Sequence, residues 1–216
     1  QRVPYQIIGG VRFYDRKEIK DIMAYYRLLL NPADNEAFLR IINTPARGLG
    51  RQAINTLLDC SSRESKPLLE SLHGLLHTPS PRLPSSAKKR FSAFVSLYQE
   101  LEEEKLAQLK LLSGECKDAP AEEAVYAIAN LLKTISERTG YIKHLEAENT
   151  PESLSRIENI IELCNVAVEF VRLQLEQGVR PTFHDFLDRT SLVSDLDKEN
   201  TKHSEQKSRF ERKDSI

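Results

Sequence analysis

The sequence predicts a mainly α-helical domain with a short β-containing segment at its N-terminus. Along most of the chain, apolar residues recur at steps of three and four, which is the spacing of one helix face. Pro and Gly interrupt this pattern often enough to separate about eight helices. Only the first ten residues have the β-forming composition that favours a strand.

The N-terminal quarter contains the predicted strand and two helices. The strand holds Tyr5, Ile7 and Ile8 and ends at Gly9-Gly10. A helix follows over about residues 15–30, because Asn31-Pro32 disfavours its continuation. Asp34 is expected to cap a short helix that ends near residue 42.

The rest of the chain is predicted as helices joined by polar loops. One helix begins near Arg51, and Ser65 is expected to cap the next. Longer helices are predicted over about residues 87–112, 118–140 and 150–177, and a capping box at Thr182 and Asp185 precedes a short one.

Composition excludes several classes of protein. The 216 residues include 31 Lys or Arg and 32 Asp or Glu, so the chain is not a globally basic nucleic-acid binder, although a local basic patch is compatible with it. No apolar run approaches the roughly 18 residues of a membrane span, so no membrane partner is expected. Cys60, Cys116 and Cys164 are too far apart for a disulfide framework, which predicts reduced thiols and a cytoplasmic location.

No self-contained active site is expected. The phosphate loop of nucleotide hydrolases, the dinucleotide fingerprint, the hydrolase nucleophile elbow and the HExxH zinc motif are all absent from the sequence. His73 and His77 have a spacing that lets two side chains reach one ion, but no third ligand lies near them. We therefore predict neither catalytic residues nor a metal site.

The most informative segment is the loop over residues 44–50 and the helix after it. A Gly-x-Gly turn lets backbone N–H groups approach a ligand, and a following helix directs a partial positive charge to the same place. Arg47 and Arg51 flank the turn, and Thr44 adds a hydroxyl. A phosphate fits this arrangement. An ordinary structural turn between two helices explains it equally, and at this point both interpretations stay open.

Local charge agrees with a nucleic-acid backbone as the ligand. Residues 1–58 contain nine Lys or Arg and five Asp or Glu, in a chain that is otherwise close to neutral. Contacts to phosphate would position the protein without reading base sequence.

Two long stretches resemble the UvrD/PcrA/Rep family of superfamily 1 DNA helicases. Residues 4–21 read PYQIIGGVRFYDRKEIKD, followed by AYYRL at 24–28 and NP at 31–32. These are similar to the end of the first segment of subdomain 2A, a RecA-like domain, where the chain leaves for the inserted helical subdomain 2B. Residues 39–50, LRIINTPARGLG, resemble the GIG-type element of 2B, with Leu49 in place of the usual Ile.

Three shorter stretches extend the resemblance. They are RIENIIEL at 156–163, Phe186-Leu187, and LVSD at 192–195. In total the resemblance covers about residues 3–58 and 150–197, whereas residues 60–145 match only in helical character.

The resemblance implies a division of the chain and a parent activity. Residues 1–30 correspond to the 2A piece, 31–192 to a 2B-type helical subdomain, and 193–216 to a flexible linker returning towards 2A. The parent is expected to be an ATP-dependent 3′–5′ helicase that uses ATP and Mg. The family's ATPase motifs are absent from this sequence, so the fragment is expected to hold no cofactor and to have no activity of its own.

The resemblance also assigns residues. It places Thr44, Arg47, Gly48, Gly50 and Arg51 in contact with duplex phosphates, at double-stranded DNA or a single-strand/duplex junction. It assigns a 2A junction motif to Gly9, Gly10, Phe13, Arg16 and Glu18, for which we expect structural roles: a tight turn, a core aromatic and ion pairs at the helix start.

Two questions of association stay open. The alternative function is a protein-interaction module of the same helicase, which docks repair or replication proteins through the acidic helix around residues 102–104. As an isolated fragment, the chain is expected to be a monomer or a dimer swapped through its N-terminal segment.

Overall fold

The computed structural model describes residues 13–77, 83–115 and 120–193, and these are predominantly helical. No strand occurs among them, so the mainly α prediction is confirmed. The predicted strand with Gly9 and Gly10, the Cys116 thiol and residues 194–216 of the predicted linker over 193–216 lie outside the described residues. The elements are α1 (Lys17–Leu30), α2 (Asn35–Ile41), α3 (Arg51–Glu64), α4 (Leu68–His77), α5 (Ser85–Ser113), a 3₁₀ helix (Ala121–Tyr126), α6 (Ala127–Arg138), α7 (Tyr141–Glu148), α8 (Pro151–Glu176) and α9 (residues 183–193).

Helix α1 lies at the centre of the hydrophobic core. Ile19, Ile22 and Leu28 are completely buried, and the helix packs on α2, α5, α6 and α8. Burying side chains of this size stabilises the fold by about 1.5–3 kcal/mol each. One continuous core thus includes residues on both sides of position 30.

Contacts of Tyr26 join α1 to α9. The Tyr26 hydroxyl donates a hydrogen bond of 2.8 Å to the carbonyl oxygen of Phe183. The Tyr26 ring also packs edge-on against the rings of Phe183 and Phe186. The first and last helices described are therefore fastened to each other.

Most of the predicted helix boundaries agree with the structure. Helix α1 ends at Leu30, and the Asp34 side chain accepts a bond of 2.9 Å from the N–H of Ala37, which caps α2. Thr182 and Asp185 form the predicted capping box, since each side chain accepts the backbone N–H of the other.

Two predicted helices differ from the structure. Ser65 does not cap α4; it ends α3 in the left-handed conformation with φ of 53°. The N–H of Leu68, at the start of α4, donates instead to the side-chain oxygen of Asn35 at 2.8 Å. The helix predicted over 118–140 is a 3₁₀ turn followed by α6, and a left-handed Gly140 then separates off α7.

The two described cysteines, Cys60 and Cys164, are free thiols. Burial raises the pKa of the Cys164 thiol to about 11 and also raises that of Cys60, so few thiolates form at neutral pH. Across the described ranges, no helix is long and apolar enough to cross a membrane. Nor do three His, Cys, Asp or Glu side chains converge anywhere in them.

Candidate nucleic-acid interface

The turn over residues 43–50, which joins α2 to α3, is held by the side chain of Asn43. Its oxygen accepts the backbone N–H groups of Arg47 at 2.8 Å and Leu49 at 3.3 Å. Its amide nitrogen donates to the carbonyl oxygen of Leu49 at 3.3 Å. Leu49 is buried in the core, so the turn is anchored at both its backbone and its central side chain.

The guanidinium of Arg47 points into the protein. Its Nη1 donates to the carbonyl oxygens of Ile41 at 2.8 Å and Thr44 at 3.1 Å. The Ile41 carbonyl ends α2 and also accepts the backbone N–H of Thr44 at 3.0 Å, whereas the Thr44 carbonyl lies in the turn itself. Its Nη2 donates to the Tyr25 hydroxyl, and the group lies 5.3 Å from the centre of the Phe94 ring. Arg47 thus braces the turn against α1, α2 and α5.

Tyr25 and Thr44 complete this inner side of the turn. The Tyr25 hydroxyl donates to the Thr44 carbonyl oxygen. Burial raises the pKa of Tyr25, and the adjacent Arg47 opposes part of that rise. The Thr44 hydroxyl donates to the carbonyl oxygen of Arg40 at 2.9 Å. Both groups therefore contribute to the shape of the turn.

Gly48 is the position at which glycine is required. Its φ is +70°, a conformation that side chains disfavour. A β-carbon there would also lie 3.3 Å from the guanidinium carbon of Arg90 on α5, so the start of α5 lies directly against the turn. At Gly50 the φ is −76° and a β-carbon would meet nothing within 4 Å. Of the two glycines, only Gly48 has a backbone conformation that requires glycine. Gly50 leaves open space at the surface of the turn.

Arg51 is exposed at the first position of α3. No side chain caps this helix, and its first turn contains no acidic residue. An acidic residue is the one that the helix dipole favours there, and a cation is opposed by it. Arg51 also has no ion pair or side-chain hydrogen bond among the described residues. Helix stability therefore does not explain why an arginine occupies position 51.

The predicted site residues thus divide into two groups. The inner side of the turn, Thr44 and Arg47, is occupied by bonds to the protein. The outer face of the turn, defined as Gly48, Gly50 and Arg51, is exposed. An exposed helix N-terminus with an unpaired guanidinium beside it can accept an anion such as phosphate.

Comparison with known proteins decides the family. Residues 1–208 match the UvrD-like helicase C-terminal domain. The chain belongs to this family. The UvrD-like resemblance noted in the sequence is therefore confirmed over nearly the whole chain.

Several relatives are DNA helicases by name. The chain is 35% identical over 205 residues to the ATP-dependent DNA helicase UvrD1 of Mycobacterium bovis. It is 33% identical over 198 residues to the ATP-dependent DNA helicase PcrA of Leuconostoc citreum, and 30% identical over 202 residues to PcrA of Staphylococcus aureus. These alignments cover 90%, 90% and 93% of this chain and 24% of each relative, so the UvrD-like chain spans about a quarter of the length of the relatives it matches.

The described part of the junction motif holds the start of α1. Phe13 is buried, and the Arg16 guanidinium lies 5.6 Å from the centre of its ring. Arg16 donates to the side-chain oxygen of Asn159 on α8, and the Asn159 amide donates to the buried Glu18 carboxylate at 2.6 Å. The Asn159 amide of α8 thus bonds to both Arg16 and Glu18, for which we expected ion pairs at the start of the helix.

Sequence reasoning missed a side-chain cluster centred on a buried carboxylate and one surface residue. The junction cluster consists of Asp21, Arg40 and Tyr141: one Asp21 oxygen accepts Arg40 at 2.8 Å and the other accepts the Tyr141 hydroxyl at 2.8 Å. No local pattern connects positions 120 residues apart. Arg90 carried a signal, because it ends a Lys-Lys-Arg run, but nothing in the sequence placed that run beside the turn.

Proposed function

We propose that the chain is the duplex-contacting, regulatory 2B-type subdomain of an ATP-dependent 3′–5′ DNA helicase. Its outer face of the turn would contact phosphates of duplex DNA. The observation that supports this most directly is Arg51, an exposed cation with no partner in the described part of the chain, at the first position of a helix that has no acidic residue in its first turn.

The chemistry of this face suits phosphate rather than base edges. The first N–H groups of a helix lack internal partners, and the open space at Gly50 allows a ligand to approach the backbone. A guanidinium adds a charge-assisted bond to the same oxygen atoms. Such contacts carry no base information, so binding is expected to be independent of sequence, weak and sensitive to salt.

Thr44 and Arg47 belong to the proposed site in a different way from Arg51. Their side-chain donors are directed to carbonyl oxygens of the protein, so they would set the geometry of the turn rather than meet the ligand. A turn that is formed before DNA arrives avoids the entropy cost of ordering it.

The ATP and Mg of the proposed parent are assigned to parts of the helicase other than this chain. The sequence has no phosphate loop, and the described residues bring together no group of carboxylates or histidines suited to a metal ion. The division into a 2A piece over 1–30, a 2B-type subdomain over 31–192 and a linker over 193–216 stays a proposal, and within it α1 of the 2A piece shares the core of the helical body.

The test is Arg51→Glu, measured by fluorescence anisotropy with a labelled duplex that carries a 3′ single-stranded tail. We expect weaker binding, with the slope of log affinity against log salt reduced by about one between roughly 50 and 200 mM salt. We expect no loss of stability, because a carboxylate at this position gains about 0.3–1 kcal/mol from the helix dipole. Binding and stability should therefore change independently.

The matched control is Lys110→Glu, which makes the same change in net charge in the last turn of α5, on an exposed residue whose side chain has no partner within the described ranges. Two results would contradict the assignment of the outer face. One is wild-type duplex affinity for Arg51→Glu, and the other is an equal loss of affinity in both variants.

The alternative function is a docking surface for a repair or replication protein. It is favoured by Leu106 and Leu109, which are 52% and 41% exposed on α5 just after its acidic stretch. Under this alternative, the 216-residue chain binds no duplex at low salt, and Arg51→Glu changes nothing.

A further inference from the structure

We infer that a groove beside the middle of α5 binds a short amphipathic helix of a protein partner, through one basic and two apolar side chains of that helix. The groove and the apolar surface after it form the α5 docking surface, defined as Leu69, Glu70, Tyr98, Glu102, Leu106 and Leu109. The inference does not depend on duplex contact by the turn. It gives the alternative function a ligand of stated chemistry.

The groove lies where the C-terminal end of α1, the first turns of α4 and the middle of α5 meet, and its volume is about 460 Å³. Leu69 and Tyr98, which line it, are buried. The Tyr98 hydroxyl donates to the carbonyl oxygen of Leu28 at 3.3 Å, which fixes the ring against α1. The apolar base of the groove is therefore formed before a ligand arrives, which reduces the entropy cost of binding.

Two carboxylates line the same groove, Glu70 from α4 and Glu102 from α5. Glu102 lies close to the Tyr98 hydroxyl: burial raises the pKa of this hydroxyl, and Glu102 raises it further. The present partners of both carboxylates are local, Lys66 at 3.2 Å from Glu70 and Lys105 at 3.8 Å from Glu102. Such partly exposed pairs are weak, so a basic side chain of a ligand can compete with them.

The negative charge continues along α5. Residues 100–104 contain four glutamates and no cation. Within the described ranges, only Glu100 and Glu102 of these four have ion pairs, at 3.9 and 3.8 Å. Lys105, the next residue, also directs its ammonium group to the carbonyl oxygen of Leu29 at 2.9 Å. The surface therefore keeps an excess of negative charge, which attracts a basic peptide and repels a nucleic-acid backbone.

Leu106 and Leu109 extend the groove along α5. They lie four and seven residues after Glu102, so all three side chains share one face of the helix. Both leucines are exposed, and the three positions span about 10 Å, or two helical turns. A carboxylate followed by two leucines at this spacing is complementary to an amphipathic helix, whose basic and apolar residues recur at the same steps.

The test selects ligands for the 216-residue chain from a phage-displayed library of random peptides of about 15 residues, roughly four helical turns. We expect the selected peptides to share a Lys or Arg and two apolar residues at helical spacing. One selected peptide is then synthesised with a fluorescent label, and its affinity for the chain and its variants is measured by anisotropy.

Glu102→Gln should weaken binding of this peptide about three- to tenfold, because the basic side chain loses its charged partner. The control is Glu103→Gln, which makes the same change in net charge on an exposed neighbour that points about 100° away around the helix. Leu106→Ala should also weaken binding several-fold. Its control is Leu154→Ala on α8, because the exposed fractions of the two leucines are 52% and 54%. Urea unfolding should show near wild-type stability for all four variants.

Three results would overturn the inference. The first is a selection that recovers no peptide, or only peptides without a basic residue. The second is an equal loss of peptide affinity in Glu102→Gln and Glu103→Gln. The third is a dimer of the chain, detected by light scattering, that Leu106→Ala abolishes, because the surface would then pair two copies of the chain. The duplex measurement with Arg51→Glu is independent of all three, so the proposed function is tested separately.

Discussion

Two charged regions of the molecule use their side chains in opposite ways. In the junction cluster, Asp21 is 2% exposed, and both its oxygens accept bonds from residues of other helices. On the outer face of the turn and the start of α5, the cations are exposed, and Arg51 and Arg90 have no partner among the described residues. A buried charge must be paired, because leaving it alone is costly, whereas an exposed cation is free to bind a ligand. The comparison teaches that partners and burial, not residue type, separate structural charges from candidate binding charges.

The strongest test of the comparison removes the centre of the junction cluster. Asp21→Ala leaves the buried Tyr141 hydroxyl without its acceptor and removes the carboxylate that pairs with Arg40, so the free energy of unfolding should fall by about 2–3 kcal/mol. Urea unfolding followed by circular dichroism measures this, and the duplex affinity of the folded protein should not change. Glu169→Ala, which breaks the exposed pair with Arg172, is the control and should cost about 0–1 kcal/mol. Equal effects of the two changes would remove the distinction.

Arg47→Met tests the border between the two regions, because Arg47 lies in the proposed site and yet bonds inward. Losing its contacts to α2 and Tyr25 should lower the free energy of unfolding by about 2 kcal/mol. Duplex binding should weaken as well, since the turn loses its brace. Weaker binding at wild-type stability would instead make Arg47 a direct contact, as the family resemblance implied.

Tyr141→Phe is the smallest change and affects only the junction cluster. Losing one hydrogen bond to Asp21 should cost about 1 kcal/mol. Burial, with further contributions from Asp21, raises the pKa of Tyr141 well above its usual value. Above pH of about 10 the unfolded chain therefore releases this proton while the folded protein keeps it, and stability falls as pH rises. Wild type should lose more stability over that range than Tyr141→Phe does, which parallel urea titrations would measure; identical slopes would show that the phenol is not held in its neutral form.

Much of the fold followed from local pattern. Apolar spacing predicted the helices, and Asp34 and Thr182 were recognised as caps because capping depends on residues within one turn. Ser65 was misplaced for a related reason: a serine between two helices fits a cap for the second, and only the left-handed conformation shows that it ends the first.

The candidate site was predictable only in part. The residue types at 44–51 pointed to a phosphate contact, but the direction of each side chain depends on distant partners. Arg47 turns inward because Tyr25 and Phe94 are there to receive it. Arg90 lies beside the turn because its guanidinium packs against Gly48. Neither contact can be predicted from the residues adjacent to it in the sequence.

The bond between Tyr26 and Phe183 has a mechanical consequence. Because α1 and α9 are in contact, a rotation imposed on either helix acts on both of them. The continuous core transmits that rotation to α2 and α5. The Arg47 guanidinium connects both of those helices to the turn. We therefore expect the turn to rotate together with α1 and α9 as one rigid unit.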